Sequence, residues 1–182
     1  MRVVLDTESA DLGLRRVARE MVERHRGTLG LVLVGVRRGG VPLANNLKAI
    51  LEDITGDTIA LGSVDITLYR DDAATALPNP RIGPSEIPVS LEGKRVVLVD
   101  DVLFTGRTIR AGIDALMDYG RPKSIELCVL VDRGGRELPI QADYVVKKLE
   151  VESSERVDVV SSNRGFYAVV QDSQAPSLPP QP

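Results

Sequence analysis

The sequence predicts an α/β protein, with a Rossmann-like parallel sheet flanked by helices. Three observations carry that reading. Short continuous apolar runs alternate with amphipathic stretches of helical period, the pattern of strand–helix–strand units. The apolar runs lack polar alternation, as strands buried on both faces do. Glycine and proline punctuate the joins between the two kinds of segment.

Each element follows in order. Asp11 to Arg26 reads as a helix: Leu14, Val17, Ala18, Met21 and Val22 recur at helical spacing, and Gly27 stops it. "LGLVLVGV", residues 29–36, is a buried strand, and "RRGG" a loop. "PLANNLKAILED" opens the next helix with Pro42 at an early position and Leu43, Leu47, Ile50 and Leu51 on its apolar face. "SVDITLY", residues 63–69, alternates and predicts a strand with one polar face. Arg70 to about Glu92 holds Pro78, Pro80, Pro84 and Pro88 and shows no apolar period. A loop of that length in a compact domain is usually functional, often a lid, or else disordered. "RVVLVD" is the central strand, and Thr105 to Tyr119 a helix with Ile109, Ile113, Leu116 and Met117 inward. "SIELCVLVD" is another buried strand, "RGGRELP" a polar turn, and "DYVVKK" and "FYAVV" later strands. Residues 1–170 thus read as one domain. The tail 171–182, rich in Pro, Ser and Gln, has the composition of disorder.

Bulk properties narrow the chemistry. The 182 residues suit a single core, and no apolar run is long enough for a membrane span. No signal-peptide pattern opens the chain. Cys128 is the only cysteine and lies within an apolar run, which fits a structural thiol in a cytoplasmic protein. His25 is the only histidine, so histidine metal sites and Ser-His-Asp triads are hard to build. The net charge of −3 does not favour nucleic acid globally, although local patches can act.

"VVLVDDVLFTGRT", Val96 to Thr108, concentrates the chemistry. Asp100 and Asp101 end a buried strand, and ligands of open parallel sheets bind beyond such ends. The next helix begins near Thr105 to Thr108. Its unpaired N–H groups and positive dipole end form an anion site, and Gly106 lets backbone approach a phosphate. Carboxylates beside a phosphate site accept hydrogen bonds from sugar hydroxyls or organise Mg²⁺. The combination describes a ligand with a phosphate at one end and a ribose diol beside it. An unrelated strand ending is the alternative.

This segment resembles the phosphoribosyl-pyrophosphate (PRPP) motif of the type I phosphoribosyltransferases. Together with "VDITLYRDD", "DYGRP" and "LVDRGGRELPI" it is similar to the bifunctional pyrimidine-operon regulators that also act as uracil phosphoribosyltransferases. The similarity spans about Leu12 to Val159. It implies a type I phosphoribosyltransferase fold with a small hood and a long flexible loop, and a homo-oligomer, a dimer or higher. PRPP would be held by Arg37, Arg38, Gly39, Val99, Asp100, Asp101, Val102, Leu103, Phe104, Thr105, Gly106, Arg107 and Thr108. Asp100 and Asp101 would take the ribose hydroxyls, and Thr105 to Thr108 the 5′-phosphate. Arg70, at the start of the catalytic loop, would act with Asp100 and Asp101 in catalysis. A solvated turn at Arg37–Arg38 and a plain polar loop start at Arg70 are the bland alternatives. Arg133 and the backbone near Val157 would meet uracil. Mg²⁺ would arrive with PRPP near Asp100 and Asp101, with no protein side chain assured as its ligand. UMP or UTP would be sensed in the same pocket.

The RNA partner implied is the pyrimidine operon leader mRNA, met by Arg15, Arg16, Arg19, Arg38 and Arg136. Arg15, Arg16, Arg19 and Arg26 fall opposite the apolar stripe of the first helix, and with Arg37 and Arg38 they predict a basic strip. A solvated face balanced by Glu20 and Glu23 is the alternative. The related regulators usually carry Thr at Arg15 and Arg38, His at Arg19, and His at Gly135.

Overall fold

A computed structural model describes residues 1–71 and 84–176. Five parallel strands form the main sheet in the order β3-β2-β4-β5-β6. They are β2 (Leu31–Val36), β3 (Ala60–Val64), β4 (Arg95–Leu103), β5 (Ser124–Asp132) and β6 (Tyr144–Lys148). Helices α1 (Thr7–His25), α2 (Gly40–Thr55) and α3 (Arg107–Met117) flank it. A second sheet, antiparallel and ordered β1-β8-β7, is the hood. It joins β1 (Arg2–Leu5), β7 (Glu155–Ser162) and β8 (Gly165–Asp172).

The continuous apolar runs are explained by burial on both faces. Along β2, Leu31 and Leu33 enter the core shared with α1 and α2, while Val32, Val34 and Val36 enter the core under α3. β4 repeats the pattern, with Val97 and Val99 on one side and Val96 and Leu98 on the other. Each such side chain contributes roughly 1.5–3 kcal/mol by leaving water. Cys128 is fully buried, and burial pushes its thiol up to about 12, so it is a core residue.

Several boundaries differ from the sequence reading, each for a local reason. Helix α1 starts at Thr7 rather than Asp11, because Asp6 caps it by accepting from Ser9 N at 2.8 Å. It ends at His25, where Arg26 turns left-handed and the N–H groups of Arg26 and Gly27 return to Glu23 and Val22. Helix α3 is shorter than residues 105–119, since Gly106, at φ +91°, caps it from outside. The strand expected over 63–69 ends at Val64. Asp65 accepts from Thr67 N at 2.8 Å and bends the chain into a 3-10 turn, Thr67–Tyr69. β1 has no counterpart in the sequence reading. The domain boundary expected at 170 falls inside β8, whose Gln171 is buried. Residues 177–182 of the expected tail, and 72–83 of the expected loop, lie outside the described residues.

Candidate functional site

The carboxyl ends of β2, β3 and β4 meet over one cavity of about 330 Å³. Arg37, Arg38 and Gly39 line it from the β2–α2 loop, and Asp65, Thr67 and Arg70 from the turn after β3. Asp100, Asp101 and Val102 line it from β4, and Thr108 from the first turn of α3. A second hollow, about 310 Å³, is lined by Arg70, Asp71, Thr105, Arg107 and Thr108 and shares Arg70 and Thr108 with the first. Arg37, Arg38, Gly39, Arg70, Asp100, Asp101, Val102 and Thr108 of the sequence reading thus lie around one cavity, and Thr105 and Arg107 around its neighbour. The larger hollow of about 720 Å³ lies around Leu31, Val32 and Ala60, at the opposite ends of the strands.

The carboxylates sit at the centre. Asp100 is 5% exposed, and burial, reinforced by the charge of Asp101, raises its pKa well above the usual range. Burial raises Asp101 as well. Their hydrogen bonds run to backbone: Asp101 N donates to Asp100 Oδ1 at 3.0 Å, and Val102 N to Asp101 Oδ1 at 2.8 Å. An ionised carboxylate accepts about four hydrogen bonds, so both retain capacity for a ligand. The shared cost of two desolvated charges falls when hydroxyl donors or a cation arrive.

The paired glycines have a steric cause. A Cβ at Gly39 would collide with the Asp101 carboxylate, and one at Gly40 with the Val99 carbonyl. The loop thus lies directly on the end of β4, which decides against a merely solvated turn. The Arg37–Arg38 peptide bond is cis. Arg38 is exposed, while Arg37 is half-buried and reaches Ser63 Oγ at 3.4 Å.

Within "VVLVDDVLFTGRT" the side chains divide. Val99 and Leu103 belong to the core, so only their backbone is available to a ligand. Arg107 points outward to Glu137 at 2.6 Å and to Asp71 at 2.7 Å, leaving its backbone N–H at the helix start. Phe104 is 42% exposed and lies against the Arg133 guanidinium, 3.9 Å from the ring centre.

Arg133 is buried, and its desolvation lowers its pKa. It donates to Glu155 O at 2.9 Å and Glu152 O at 3.3 Å, tying the Phe104 loop to the start of β7. Val157 places its side chain in the core. β7 is an edge strand of the hood, so beyond its pairing with β8 it has a free backbone side.

The arginines expected to meet RNA differ in their surroundings. Arg136 donates to Ile140 O at 2.9 Å, Phe104 O at 2.8 Å and Asp132 Oδ1 at 2.6 Å, an internal clamp with 14% of its side chain exposed. Arg15 pairs with Asp11 at 2.9 Å. Arg16 pairs with Glu20 at 2.7 Å and donates to Val145 O and Val146 O, capping the edge strand β6. Arg15 also feels Asp53, toward the far end of α2 from Arg38. The 14 helical residues from Gly40 to Asp53 span roughly 21 Å, so Arg15 and Arg38 are separate groups. Arg19, Arg26 and Arg38 remain exposed.

Three features were missed by sequence reasoning. Asp65 and Thr67 line the cavity because the predicted strand breaks there. Asp158 on β7 lies within electrostatic reach of Asp101 across the cleft between sheet and hood. Asp71 bridges Arg107 and Arg110. The local pattern of "LYRDD" signals none of these partners. Among the described residues no cluster of three or more His, Cys, Asp or Glu is arranged to hold a metal, and no helix is long and apolar enough to cross a membrane.

Comparison with known proteins places this geometry. The phosphoribosyl transferase domain model matches residues 5–163. The chain is 56% identical over 171 residues to the Bifunctional protein PyrR of Geobacter sulfurreducens, covering 93% of this chain and 97% of the relative. It is 49% identical over 159 residues to the Bifunctional protein PyrR of Bacillus subtilis, covering 86% and 88%. Among solved structures, the Trypanosoma cruzi hypoxanthine phosphoribosyltransferase superposes with a TM-score of 0.69 at 20% identity, covering 92% of this chain and 95% of the other. A Staphylococcus aureus hypoxanthine phosphoribosyltransferase does so at 0.66 and 24% identity, covering 88% and 82%. At those identities the likeness is one of fold.

Proposed function

The chain belongs to the phosphoribosyltransferase family, in its PyrR branch, and from that premise we propose a bifunctional pyrimidine regulator. It binds pyrimidine leader mRNA in a uridine-nucleotide-dependent way, and it converts uracil and PRPP to UMP and pyrophosphate. One observation carries the catalytic half: Arg38, Arg70, Asp100, Asp101 and Thr108 line a single cavity at the carboxyl ends of the strands.

In this reading Asp100 and Asp101 accept hydrogen bonds from the ribose hydroxyls, which relieves their shared burial. The first turn of α3, with Thr105 and Thr108, takes the 5′-phosphate. Arg37, Arg38 and Arg70 face the leaving pyrophosphate. Arg133 and the free edge of β7 near Val157 bound the uracil. The C1–pyrophosphate bond breaks, the sugar gains oxocarbenium character, and uracil N1 takes the vacated position as its proton passes to the departing pyrophosphate or to solvent. These residues act by alignment and by placing positive charge where negative charge develops. No nucleophilic side chain is required, which suits a site whose described walls carry arginine, aspartate and threonine.

The donor set fits Mg²⁺ carried by the substrate. Asp100 and Asp101 supply carboxylate oxygens with spare capacity, and Mg²⁺ characteristically completes its shell with water and phosphate oxygens. Bound there, it neutralises charge on the pyrophosphate. The protein is assayed with PRPP, Mg²⁺ and uracil, hypoxanthine, guanine or orotate. UMP from uracil alone is expected; turnover of another base instead replaces the uracil assignment.

A second reading, the enzyme without RNA regulation, is favoured by the pairing of Arg15 and Arg16 and the internal position of Arg136. Titration of a pyrimidine-leader hairpin and a scrambled RNA, at two salt concentrations with and without UMP, separates the two. The regulator binds the hairpin with UMP and weakens steeply with salt, because arginine mainly meets phosphate. No binding to either RNA at low salt leaves the enzyme alone.

A further inference from the structure

Arg70 is bracketed by contacts to α3 that no part of the PRPP motif requires. On its carboxyl side, Asp71 receives Arg107 Nη1 at 2.7 Å and Arg110 Nη2 at 2.8 Å, one carboxylate oxygen to each. These arginines are three residues apart and share a helix face. On its amino side, Arg110 Nη2 also donates to Tyr69 O at 2.6 Å, and the Tyr69 hydroxyl donates to Asp118. Arg110 is held in turn by Asp114 at 2.7 Å. The residues either side of Arg70 are therefore stapled to the helix whose first turn lines the phosphate hollow.

Two physical points suggest what the staple does. Its pairs are largely exposed, with 44% of the Asp71 side chain and 50% of the Arg107 side chain accessible, so solvent screening leaves them little role in global stability. A carboxylate on the wall of an anion hollow also opposes phosphate binding. What Asp71 does contribute is location: a bidentate anchor fixes direction as well as distance. Arg70 lines both hollows, together with Thr105 and Thr108 in the smaller, and the residues on either side of it are held to α3.

We propose that Asp71 and Arg110 are positioning residues for the phosphoribosyl transfer, holding Arg70 against the departing pyrophosphate. The inference rests on the uracil phosphoribosyltransferase reading above. A misplacement of about 1 Å in such a group costs on the order of 100-fold in rate. Asp71→Ala lowers kcat by about 10- to 100-fold with the KM for PRPP within about threefold. Asp71→Glu, which keeps the carboxylate, restores most of kcat. Arg110→Gln lowers kcat in the same way, and the double variant loses less than the product of the two single losses, since the Asp71–Arg110 pair is common to both.

Unchanged kcat with a lowered KM would make Asp71 a mere counter-ion, and multiplicative losses in the double variant would make the residues independent; either overturns the proposal. If the wild-type protein makes no UMP, the activity reading fails by itself, and the staple is read without turnover. Trypsin cleavage after Arg70 is then followed by mass spectrometry in wild type and Arg110→Gln, where the Arg70–Asp71 peptide bond is unaltered. Cleavage about tenfold faster in the variant supports the anchor, and equal rates overturn it.

Discussion

Two carboxylate groups, one buried and one half-buried, lie at opposite ends of the main sheet and keep opposite company. At the carboxyl ends of the strands, Asp100 and Asp101 adjoin each other and accept from the backbone N–H groups of Asp101 and Val102. At the amino ends, Glu126 of β5 is half-buried and surrounded by side-chain partners. His25 Nε2 stands 2.8 Å from one oxygen, and the Tyr144 hydroxyl donates to the other at 2.6 Å. Arg24 covers the Tyr144 ring at 5.5 Å and reaches Asp143 at 3.3 Å. Burial pushes Glu126 up, but Tyr144, His25 and Arg24 outweigh it and leave its pKa lowered. Burial and the neighbouring Asp101 push Asp100 up, and the single backbone hydrogen bond from Asp101 N does not offset them. On the proposed reading, the difference separates a carboxylate that holds the fold from one held ready for a ligand: both are largely withdrawn from water, and only Glu126 is met by histidine and hydroxyl side chains.

The comparison breaks most visibly in activity. On the proposed reading, Asp100→Asn and Asp101→Asn are expected to lose about 100-fold or more in kcat/KM, since each would remove charge and an acceptor from the ribose. Their melting temperatures stay level or rise, because a desolvated charge has been removed. Full activity in both variants would show that the acids do not face substrate. Glu126→Gln and Tyr144→Phe should do the reverse. Each leaves a buried group short of a partner and costs about 1–3 kcal/mol in a denaturant titration. UMP synthesis at the far end of the sheet stays within about twofold, as for separated sites.

Acidity sharpens the contrast through opposite signs. Asp100 is raised above its ordinary 3.8, so between that value and its higher folded value the native state binds more protons than the unfolded chain. Its contribution to stability therefore falls as pH rises through that window. Glu126 is lowered below its ordinary 4.5, so its contribution is full above that value and is lost as pH falls through the folded value. Stability measured against pH should lose the first slope in Asp100→Asn and the second in Glu126→Gln. Identical profiles in wild type and either variant would remove the corresponding assignment.

The smallest effect concerns Cys128, enclosed between the two ends with its thiol pushed up to about 12. A thiol reagent at neutral pH should label it only at the rate of global opening, leaving activity untouched until then. Rapid labelling of native protein would show that the core between the two sites is open.

Much of this architecture was legible in the amino-acid order because it is locally written. A strand buried on both faces needs an uninterrupted apolar run, so β2, β4 and β5 announce themselves. The PRPP segment is contiguous, and one stretch of chain supplies the acids, the turn glycine and the helix start. Glycines at 39 and 40 mark a close backbone approach even before its partner is known. Composition alone, with one cysteine and one histidine, made histidine metal sites and Ser-His-Asp triads hard to build and Cys128 the expected structural thiol.

Other features depend on residues that meet only in the folded chain. β1 pairs with β8 across most of the sequence, and four residues alone carry too little pattern to declare a strand. The 63–69 alternation looked like a strand until Asp65 captured the backbone of Thr67. Above all, the arginines could not be sorted by sequence. Arg16 caps an edge strand 129 residues away, Arg136 clamps the Phe104 carbonyl, Arg110 holds Tyr69, and Arg38 lines the cavity. An arginine is long, always charged and offers five donors, so its role follows from which acceptors the fold brings within reach. Periodicity and turn chemistry act between near neighbours and can be read along the chain. The pairing of charges is decided by distance in space, which only the tertiary structure supplies.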